Sequence, residues 1–144
     1  MLKPGDMAPD IPEINELRGK RVVLYFYPKA DTPGCTIESC EFRDHAKEFA
    51  KKGVTVVGIS PDKPVAQEKF KAKYDLPFAL GSDEKGDVTE KYGVWVEKSM
   101  YGRKYMGIER STFLIDGEGV IRGAWRKVKV DGHTDEVLKA AKSL

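Results

Sequence analysis

The sequence has 144 residues, of which 40% are hydrophobic, 10% aromatic and 33% charged, and its formal net charge at pH 7 is +2. A chain of this length can bury about two thirds of its unfolded surface without a disulfide framework, so we expect residues 1–144 to form a single domain. The balanced charge argues against nucleic acid or an anionic membrane as the main partner.

The compartment is indicated by what the sequence lacks and by its few cysteines. No apolar run approaches the ~18 residues of a membrane span, and the N-terminus has no apolar signal core, so a cytoplasmic location is expected. Cys35 and Cys40 are the two cysteines of the chain. Because cytosolic cysteines rarely form permanent bridges, any bond between them is expected to be transient and catalytic.

Strand-like and helix-like segments alternate along most of the chain. Residues 1–20 are punctuated by proline and glycine and are predicted to form an extended lead-in. Periodicity and turn residues predict strands at 21–27, 54–59, 78–80, 110–116 and 120–128, and helices at 33–52, 64–74, 87–92 and 131–144. Strands that alternate with helices and close on a hairpin predict an α/β fold, with a mixed central β-sheet and helices on both faces.

Two segments in the middle of the chain carry more specific expectations. The helix at 64–74 is predicted to place Val65, Phe70 and Tyr74 against the core. Segment 96–109 has no clean period and is predicted to be a long surface excursion, in which Lys98, Arg103 and Lys104 form a solvated basic face.

The start of the first helix places a cysteine among free backbone donors. Thr32 is a good N-cap, Pro33 suits the first helical position, and Cys35 then occupies the third. The unpaired N–H groups and the positive end of the helix dipole surround the sulfur of Cys35 and favour thiolate over thiol. Cys35 is therefore a candidate reactive cysteine.

Helical spacing also assigns each side chain of this segment to a face. Cys35 lies seven residues before Phe42, on the stripe that continues to Phe49, so it is predicted to point inward. Glu38 falls close to the same inward face, where a carboxylate needs a cationic or hydrogen-bonding partner.

The second cysteine is predicted to lie out of reach of the first. Cys40 points about 140° away from Cys35, and five helical residues separate their Cα atoms by roughly 8–9 Å. A disulfide needs Cα atoms within about 7 Å of each other. The two cysteines can therefore bond only if the first turns of the helix unwind.

The residues alone leave other interpretations open. Buried free cysteines are common, so either could serve packing only. A zinc site is disfavoured because Cys35, Cys40 and His45 are spaced by fives, which scatters them around a helix, and no fourth ligand is near. A thioredoxin-type redox pair is absent because the sequence has no Cys-x-x-Cys.

The pattern Tyr27-Pro28-x-x-x-Thr32-x-x-Cys35 resembles the active-site signature of peroxiredoxins, the thiol peroxidases built on a thioredoxin-like fold. With Cys40 five positions further on, it is similar to the bacterioferritin comigratory protein branch of that family. The resemblance extends over essentially the whole chain. It includes Pro4-Gly-Asp-Met-Ala-Pro9-Asp, Val54-Thr-Val-Val-Gly-Ile-Ser60-Pro-Asp62 and Arg110-Ser-Thr-Phe-Leu-Ile-Asp116.

The resemblance implies a role for each cysteine. Cys35 matches the peroxidatic cysteine, which attacks hydrogen peroxide or an organic hydroperoxide and becomes a sulfenic acid. Cys40 matches the resolving cysteine, which closes an intramolecular disulfide. Thioredoxin or a similar thiol protein is the implied reductant. No metal, haem or flavin is implied, and the resemblance favours a monomer.

Four further residues acquire roles from the same resemblance. Thr32 would hydrogen-bond the peroxide, and Pro28 would shield the thiolate from solvent. Arg110 matches the arginine that stabilises the thiolate and the transition state. Glu38 would orient Arg110, which would account for a carboxylate on the inward face of the helix.

Two other classes of function remain as alternatives. A redox sensor or chaperone-like binding protein could use the same cysteine to switch a partner surface, without sustained peroxide turnover. A purely structural α/β domain would leave the inward Glu38 and the Pro-Gly-Cys helix start unexplained.

Overall fold

The computed structural model describes residues 2–9, 11 and 19–144. Within the predicted lead-in, Met7 forms an isolated antiparallel bridge with Val120, while residues 10 and 12–18 lie outside the described residues. In chain order the helices and strands are β1 Arg21–Phe26, α1 Pro33–Asp44, α2 Ala46–Lys51, β2 Val54–Ser60, α3 Pro64–Lys73, β3 Ala79–Ser82, α4 Asp87–Lys91, β4 Trp95–Met100, β5 Arg103–Ile108, β6 Ser111–Ile115, β7 Ile121–Trp125 and α5 His133–Lys142.

Five of the strands form a mixed sheet in the order β3-β2-β1-β6-β7. β1 and β3 run parallel to β2, whereas β6 runs antiparallel to both β1 and β7. The central strand β1 is the apolar run that the sequence marks as buried on both faces, and residues Val22 to Phe26 are all buried. The predicted mixed central sheet is confirmed.

Each face of the sheet packs against its own apolar cluster. Val23 and Tyr25 of β1 join the cluster that includes α1, α2, α3 and α5, while Val22 and Leu24 join the cluster on the opposite face, which includes α4. Successive side chains of a strand point to opposite faces, so β1 contributes residues to both clusters. Helices on both faces, as predicted, enclose the sheet.

Two features of the helices differ from the sequence prediction. The predicted helix 33–52 is two helices, because α1 ends at Asp44 and α2 starts at Ala46. Val65 is 60% exposed, so its predicted core position is wrong. The inward face of α3 is set by Gln67 and Phe70, and Val65 lies about 200° around the helix from Gln67.

Segment 96–109 is not an irregular excursion but most of a regular β-hairpin. β4 and β5 pair antiparallel, with Met100 opposite Arg103, and form a separate two-stranded sheet. The two turn residues, Tyr101 and Gly102, both have positive φ, as a type I′ turn requires. Tyrosine is an unusual residue at the first of these positions, and both hairpin faces are largely exposed, so neither turn chemistry nor periodicity marked the hairpin.

No helix in the described part of the chain combines the length and the apolar character needed to cross a membrane.

Candidate active site

The loop between β1 and α1 is fixed by contacts with α3 and with the loop that precedes it. The backbone N–H of Ala30 donates to Asp62 Oδ2 at 2.7 Å. Asp31, which has a φ of +58°, accepts hydrogen bonds from Lys73 Nζ at 2.9 Å and Tyr74 Oη at 2.8 Å. These bonds set the position from which α1 begins.

The start of α1 follows the capping prediction in its backbone but not in its side chain. Thr32 is the N-cap residue with extended dihedral angles, and Pro33 and Cys35 occupy the first and third helical positions. The hydroxyl of Thr32 does not cap the helix; it donates to the carbonyl oxygen of Lys29 at 2.7 Å. The backbone N–H groups of Gly34 and Cys35 in the first helical turn have no intrahelical partner, whereas the N–H of Thr36 bonds the Thr32 carbonyl.

Cys35, Glu38 and Arg110 meet beneath the first turn of α1. Cys35 is 1% exposed, and Arg110 Nη2 donates to its sulfur at 3.2 Å. Arg110 Nη1 donates to Oε1 of the fully buried Glu38 at 2.8 Å. The absence of a side chain at Gly34 permits this approach, since a Cβ there would stand 3.2 Å from Arg110 Nη2.

Burial and charge act in opposite directions on Glu38 and Arg110. Burial raises the pKa of Glu38 to about 7, although the charge and hydrogen bond of Arg110 lower it. Burial would lower the pKa of Arg110, but the negative charges of Glu38 and Cys35 outweigh burial and raise it. Glu38 Oε2 has no hydrogen-bond partner among the described residues. The guanidinium therefore stays charged between the sulfur of Cys35 and the carboxyl group of Glu38.

The other predicted site residues lie around this cluster. Thr32 and Pro28 are partly buried in the preceding loop, at the end of β1 and the start of α1. Cys40 is partly buried on α1, and both cysteines are free thiols. The structure thus brings Cys35, Glu38 and Arg110 into direct contact and leaves Cys40 unbonded to Cys35.

The sequence prediction missed two features of the site. Tyr25 Oη and Ser39 Oγ share a buried hydrogen bond of 2.8 Å, which ties the middle of α1 to β1. Lys98, predicted to belong to a solvated face, is partly buried and interacts electrostatically with Arg110 and Cys35. The burial of Tyr25 follows from the apolar strand pattern of β1, but no pattern in 96–109 indicated that Lys98 is partly buried.

A metal centre finds no support in this arrangement. Over residues 2–9, 11 and 19–144, no group of three or more His, Cys, Asp and Glu side chains is arranged to hold a metal ion. His45 instead contacts Asp135, with Nε2 2.9 Å from Oδ1.

Comparison with known proteins assigns this geometry to a family. The sequence pattern of the AhpC/TSA family matches residues 6–124. A relative from Coxiella burnetii is 58% identical over 125 residues, which are 87% of this chain and 83% of that protein. The chain belongs to the AhpC/TSA family. Peroxiredoxin Bcp of Bacillus subtilis is 45% identical over 149 residues, which cover 97% of this chain and 95% of that protein.

A solved structure gives the same result in three dimensions. The bacterioferritin comigratory protein of Xanthomonas campestris superposes with a TM-score of 0.87 at 38% identity, over 96% of this chain and 98% of that one. The predicted branch of the peroxiredoxins and the thioredoxin-like fold are both confirmed. Peroxiredoxins are thiol-dependent peroxidases, so the predicted enzyme class, an oxidoreductase acting on peroxides, is confirmed as well.

Proposed function

We propose that this chain is a two-cysteine thiol peroxidase in which Cys35 attacks the peroxide and Cys40 resolves the product. The proposal is carried by Arg110, whose terminal nitrogens bond Cys35 Sγ at 3.2 Å and Glu38 Oε1 at 2.8 Å. A guanidinium held in this way stabilises negative charge on the sulfur and on the leaving oxygen. A buried cysteine kept only for packing needs no such partner.

The first chemical step uses the thiolate of Cys35. It attacks the terminal peroxide oxygen, so that an S–O bond forms while the O–O bond breaks, and the cysteine is oxidised to a sulfenic acid. The other oxygen leaves as hydroxide or alkoxide and takes a proton from solvent to become water or an alcohol. Arg110 and the N–H groups of the first helical turn supply the donors that stabilise the developing charge.

Thr32 and Pro28 complete the proposed peroxide site. Because the Thr32 hydroxyl donates its hydrogen to the Lys29 carbonyl, the lone pairs of Oγ1 remain to accept a hydrogen bond from the peroxide O–H. Pro28 lies two residues beyond the end of β1, is partly buried and has no N–H to hold water, and in this proposal its ring shields the thiolate from solvent.

The proposed substrates are hydrogen peroxide and organic hydroperoxides. An alkyl peroxide reduction activity is described for the Xanthomonas campestris relative, which supports the organic substrates. Whether the leaving oxygen is unsubstituted or carries a carbon chain, Arg110 stabilises the same single negative charge, so both substrates fit one mechanism.

Resolution by Cys40 requires a second conformation of α1. With the helix intact, the five-residue offset separates the two Cα atoms by roughly 8–9 Å, which exceeds the ~7 Å limit for a disulfide. Once the first turns unwind, the Cys40 thiol attacks the sulfenic sulfur, an S–S bond forms, and water leaves. The disulfide is then reduced by thiol exchange with thioredoxin or a similar protein.

We infer that peroxide attack and disulfide formation both occur within one molecule. The nucleophile, the resolving thiol and Arg110 all belong to the single domain predicted for residues 1–144, so a monomer contains every group needed for peroxide attack and disulfide formation. A cytosolic location fits a cycle that ends in reduction by a thiol protein, since the cytosol keeps thiols reduced.

Intact-mass spectrometry after one equivalent of peroxide tests the pairing. The wild-type chain should lose two hydrogens as a Cys35–Cys40 bond forms. Cys40→Ser should instead gain one oxygen, because its sulfenic acid has no internal partner, and Cys35→Ser should not change. The two serine variants are matched controls for each other, since each removes one sulfur from the same helix.

Turnover with thioredoxin separates an enzyme from a redox sensor. Sustained peroxide consumption by the wild-type chain supports the enzyme, whereas a sensor would be oxidised once and stop. Full turnover by Cys35→Ser would overturn the assignment of the nucleophile. An oxidised wild-type chain that carries no internal disulfide would overturn the role of Cys40.

A further inference from the structure

Arg110 is a single cation placed between two groups that can each carry a negative charge. Its Nη2 donates to Cys35 Sγ at 3.2 Å, and its Nη1 donates to Glu38 Oε1 at 2.8 Å. Cys35 is 1% exposed and Glu38 is fully buried, so solvent screens neither charge well. Within the described part of the chain, neither group has a second cation as a hydrogen-bond partner. The guanidinium can therefore neutralise one of the two groups, but not both.

The two carboxyl oxygens of Glu38 have different surroundings. Oε1 accepts a hydrogen bond from Arg110, whereas Oε2 is buried and has no hydrogen-bond partner among the residues that the structure describes. An unpartnered buried oxygen is costly when it carries part of a carboxylate's charge and less so when it is protonated and neutral. A proton on Oε2 leaves Oε1 free to accept from Arg110. The geometry thus suits a neutral Glu38 that keeps its bond to the guanidinium.

Other titratable groups around the site do not supply a second bonded cation. Five of them interact electrostatically with Cys35, Glu38 or Arg110: Tyr25, Tyr27, Glu41, Lys98 and His133. Burial raises the pKa of both tyrosines above their usual range and lowers the pKa of His133 to about 4, so all three are neutral at pH 7. Glu41 adds negative charge, and Lys98 donates no hydrogen bond to the three central groups.

We propose that Cys35 and Glu38 share one proton across Arg110, so that the form that attacks the peroxide pairs a Cys35 thiolate with a neutral, protonated Glu38. This inference rests on the proposed function, because it assumes that Cys35 is the nucleophile. Ionisation of both groups would leave a buried net negative charge and would weaken the field of Arg110 at the leaving oxygen. Glu38 is thus a positioning residue that acts through Arg110. It keeps its proton during the first step, whose bonds made and broken are those given above.

Infrared spectroscopy of the reduced protein tests the shared proton without any peroxide. A protonated carboxyl group has a C=O stretching band that a carboxylate lacks, and the Glu38 band is the one that Glu38→Gln removes and Glu41→Gln keeps. In the wild-type chain this band should disappear as pH rises through about 7, the pKa to which burial raises Glu38. In Cys35→Ser no thiolate competes for Arg110, so Glu38 should ionise at a pH lower by about one unit or more.

The pH profile of peroxide attack tests whether the proton matters for the reaction. The second-order rate constant for oxidation of Cys35 by cumene hydroperoxide is measured in a Cys40→Ser background, where one thiol remains. Between pH 7 and pH 9, ionisation of Glu38 should slow attack about fivefold, because Arg110 then faces two anions.

Two variants in the same background separate Glu38 from a general effect of charge. Glu38→Gln keeps an acceptor oxygen for Arg110 but cannot ionise, so its rate should show no such fall. Glu41→Gln removes a carboxylate three residues further along α1, where Oε2 accepts a hydrogen bond from Thr134. It is the matched control and should retain the fall.

Each result either supports the shared proton or removes it. Equal infrared midpoints in the wild-type chain and Cys35→Ser would overturn it, and so would a Glu38 that stays ionised down to pH 5. Equal alkaline falls in Glu38→Gln and Glu41→Gln would contradict its effect on attack. If Glu38→Gln does not fold, ¹³C-labelled glutamate identifies the band, and the comparison with Cys35→Ser still decides. Peroxide consumption by Cys35→Ser would instead reject the proposed function, which the infrared midpoints do not test.

Discussion

Glu38 links the stability of the site to pH through its buried carboxyl group. Its pKa is raised from 4.5 to about 7, because burial outweighs the charge of Arg110. A raised folded-state pKa means that the folded protein binds a proton more tightly than the unfolded chain does. The stability contributed by protonated Glu38 is therefore fully present below pH 4.5 and is lost as pH rises through 7.

Glu38→Gln should remove this pH dependence. Between pH 5 and pH 8 the wild-type free energy of unfolding should fall by roughly 2.5 kcal/mol more than that of the variant, which carries no titrating group at this position. Urea unfolding of both proteins at each pH measures the difference. Parallel pH dependences in the two proteins would mean that Glu38 titrates alike in the folded and unfolded states, which would contradict its burial.

At the scale of the element, hydrogen bonds beyond those of Arg110 hold α1 to its neighbours. Ser39 Oγ shares a buried hydrogen bond with Tyr25 Oη of β1, and Arg43 Nη1 donates to the backbone carbonyl of Tyr74 at 2.9 Å, just beyond α3. Arg43 holds the C-terminal half, beyond both cysteines. The Ser39 bond lies between Cys35 and Cys40, within the part that must unwind, so it opposes resolution directly.

Ser39→Ala should therefore speed the formation of the Cys35–Cys40 disulfide. Loss of the hydroxyl leaves Tyr25 Oη buried without this partner, which costs about 1–3 kcal/mol of folded-state stability. If about 1 kcal/mol of that cost destabilises the intact helix relative to its unwound state, the sulfenic acid should convert to the disulfide about fivefold faster. Quenched mass spectrometry after peroxide addition measures this rate.

The variant Tyr25→Phe and the double variant serve as controls for the Ser39 result. Tyr25→Phe should cost less stability, because the Ser39 hydroxyl can bond a carbonyl of its own helix instead. The double variant should be less destabilised than the two single changes added together, since both partners of the bond are then absent. An unchanged disulfide rate in Ser39→Ala would show that unwinding does not break this bond before the rate-limiting step.

At the scale of the whole molecule, the sequence predicts the buried strands, whose apolar residues are continuous, and the helices that bury one periodic apolar face. The strands β1 and β2 and the final helix were predicted because their apolar residues are continuous or periodic. Val137, Leu138 and Ala141 of α5 are buried as their spacing indicates. The β4–β5 hairpin was not predicted, because its faces are mostly exposed and its turn begins with Tyr101.

Some residues of the site could be placed from local sequence patterns, and others could not. Capping rules and helical periodicity alone placed Cys35 at the third helical position and Glu38 on the inward face, and the structure confirms both positions. The partner of Glu38 could not come from local patterns, because Arg110 lies 72 residues away along the chain. It was found through the family resemblance. Lys98 depends on a hairpin that no pattern revealed.

The core and the active site are joined through Tyr25 in the centre of the molecule. Its ring stacks on Tyr27, with centroids 5.4 Å apart, and packs against Phe42 at 4.7 Å and Phe78 at 6.0 Å. Gly58 of β2 lies directly beside Tyr25 in the parallel register. Because the Tyr25 hydroxyl also bonds Ser39 of α1, a shift of this ring would move or break a contact of the helix that carries Cys35.

Gly58→Ala should therefore destabilise the whole molecule. A Cβ at this position would lie 2.7 Å from Tyr25 Cζ and 2.9 Å from Leu80 Cδ2, and the packed ring cannot move away freely. Overpacking of this kind costs about 1–3 kcal/mol. Gly81→Ala on the neighbouring strand is the matched control, because its Cβ would meet Ile59 Cγ1 at 3.4 Å, and it should change stability by no more than about 0.5 kcal/mol. Urea unfolding measures both, and equal shifts would show that the Tyr25 ring is free to yield.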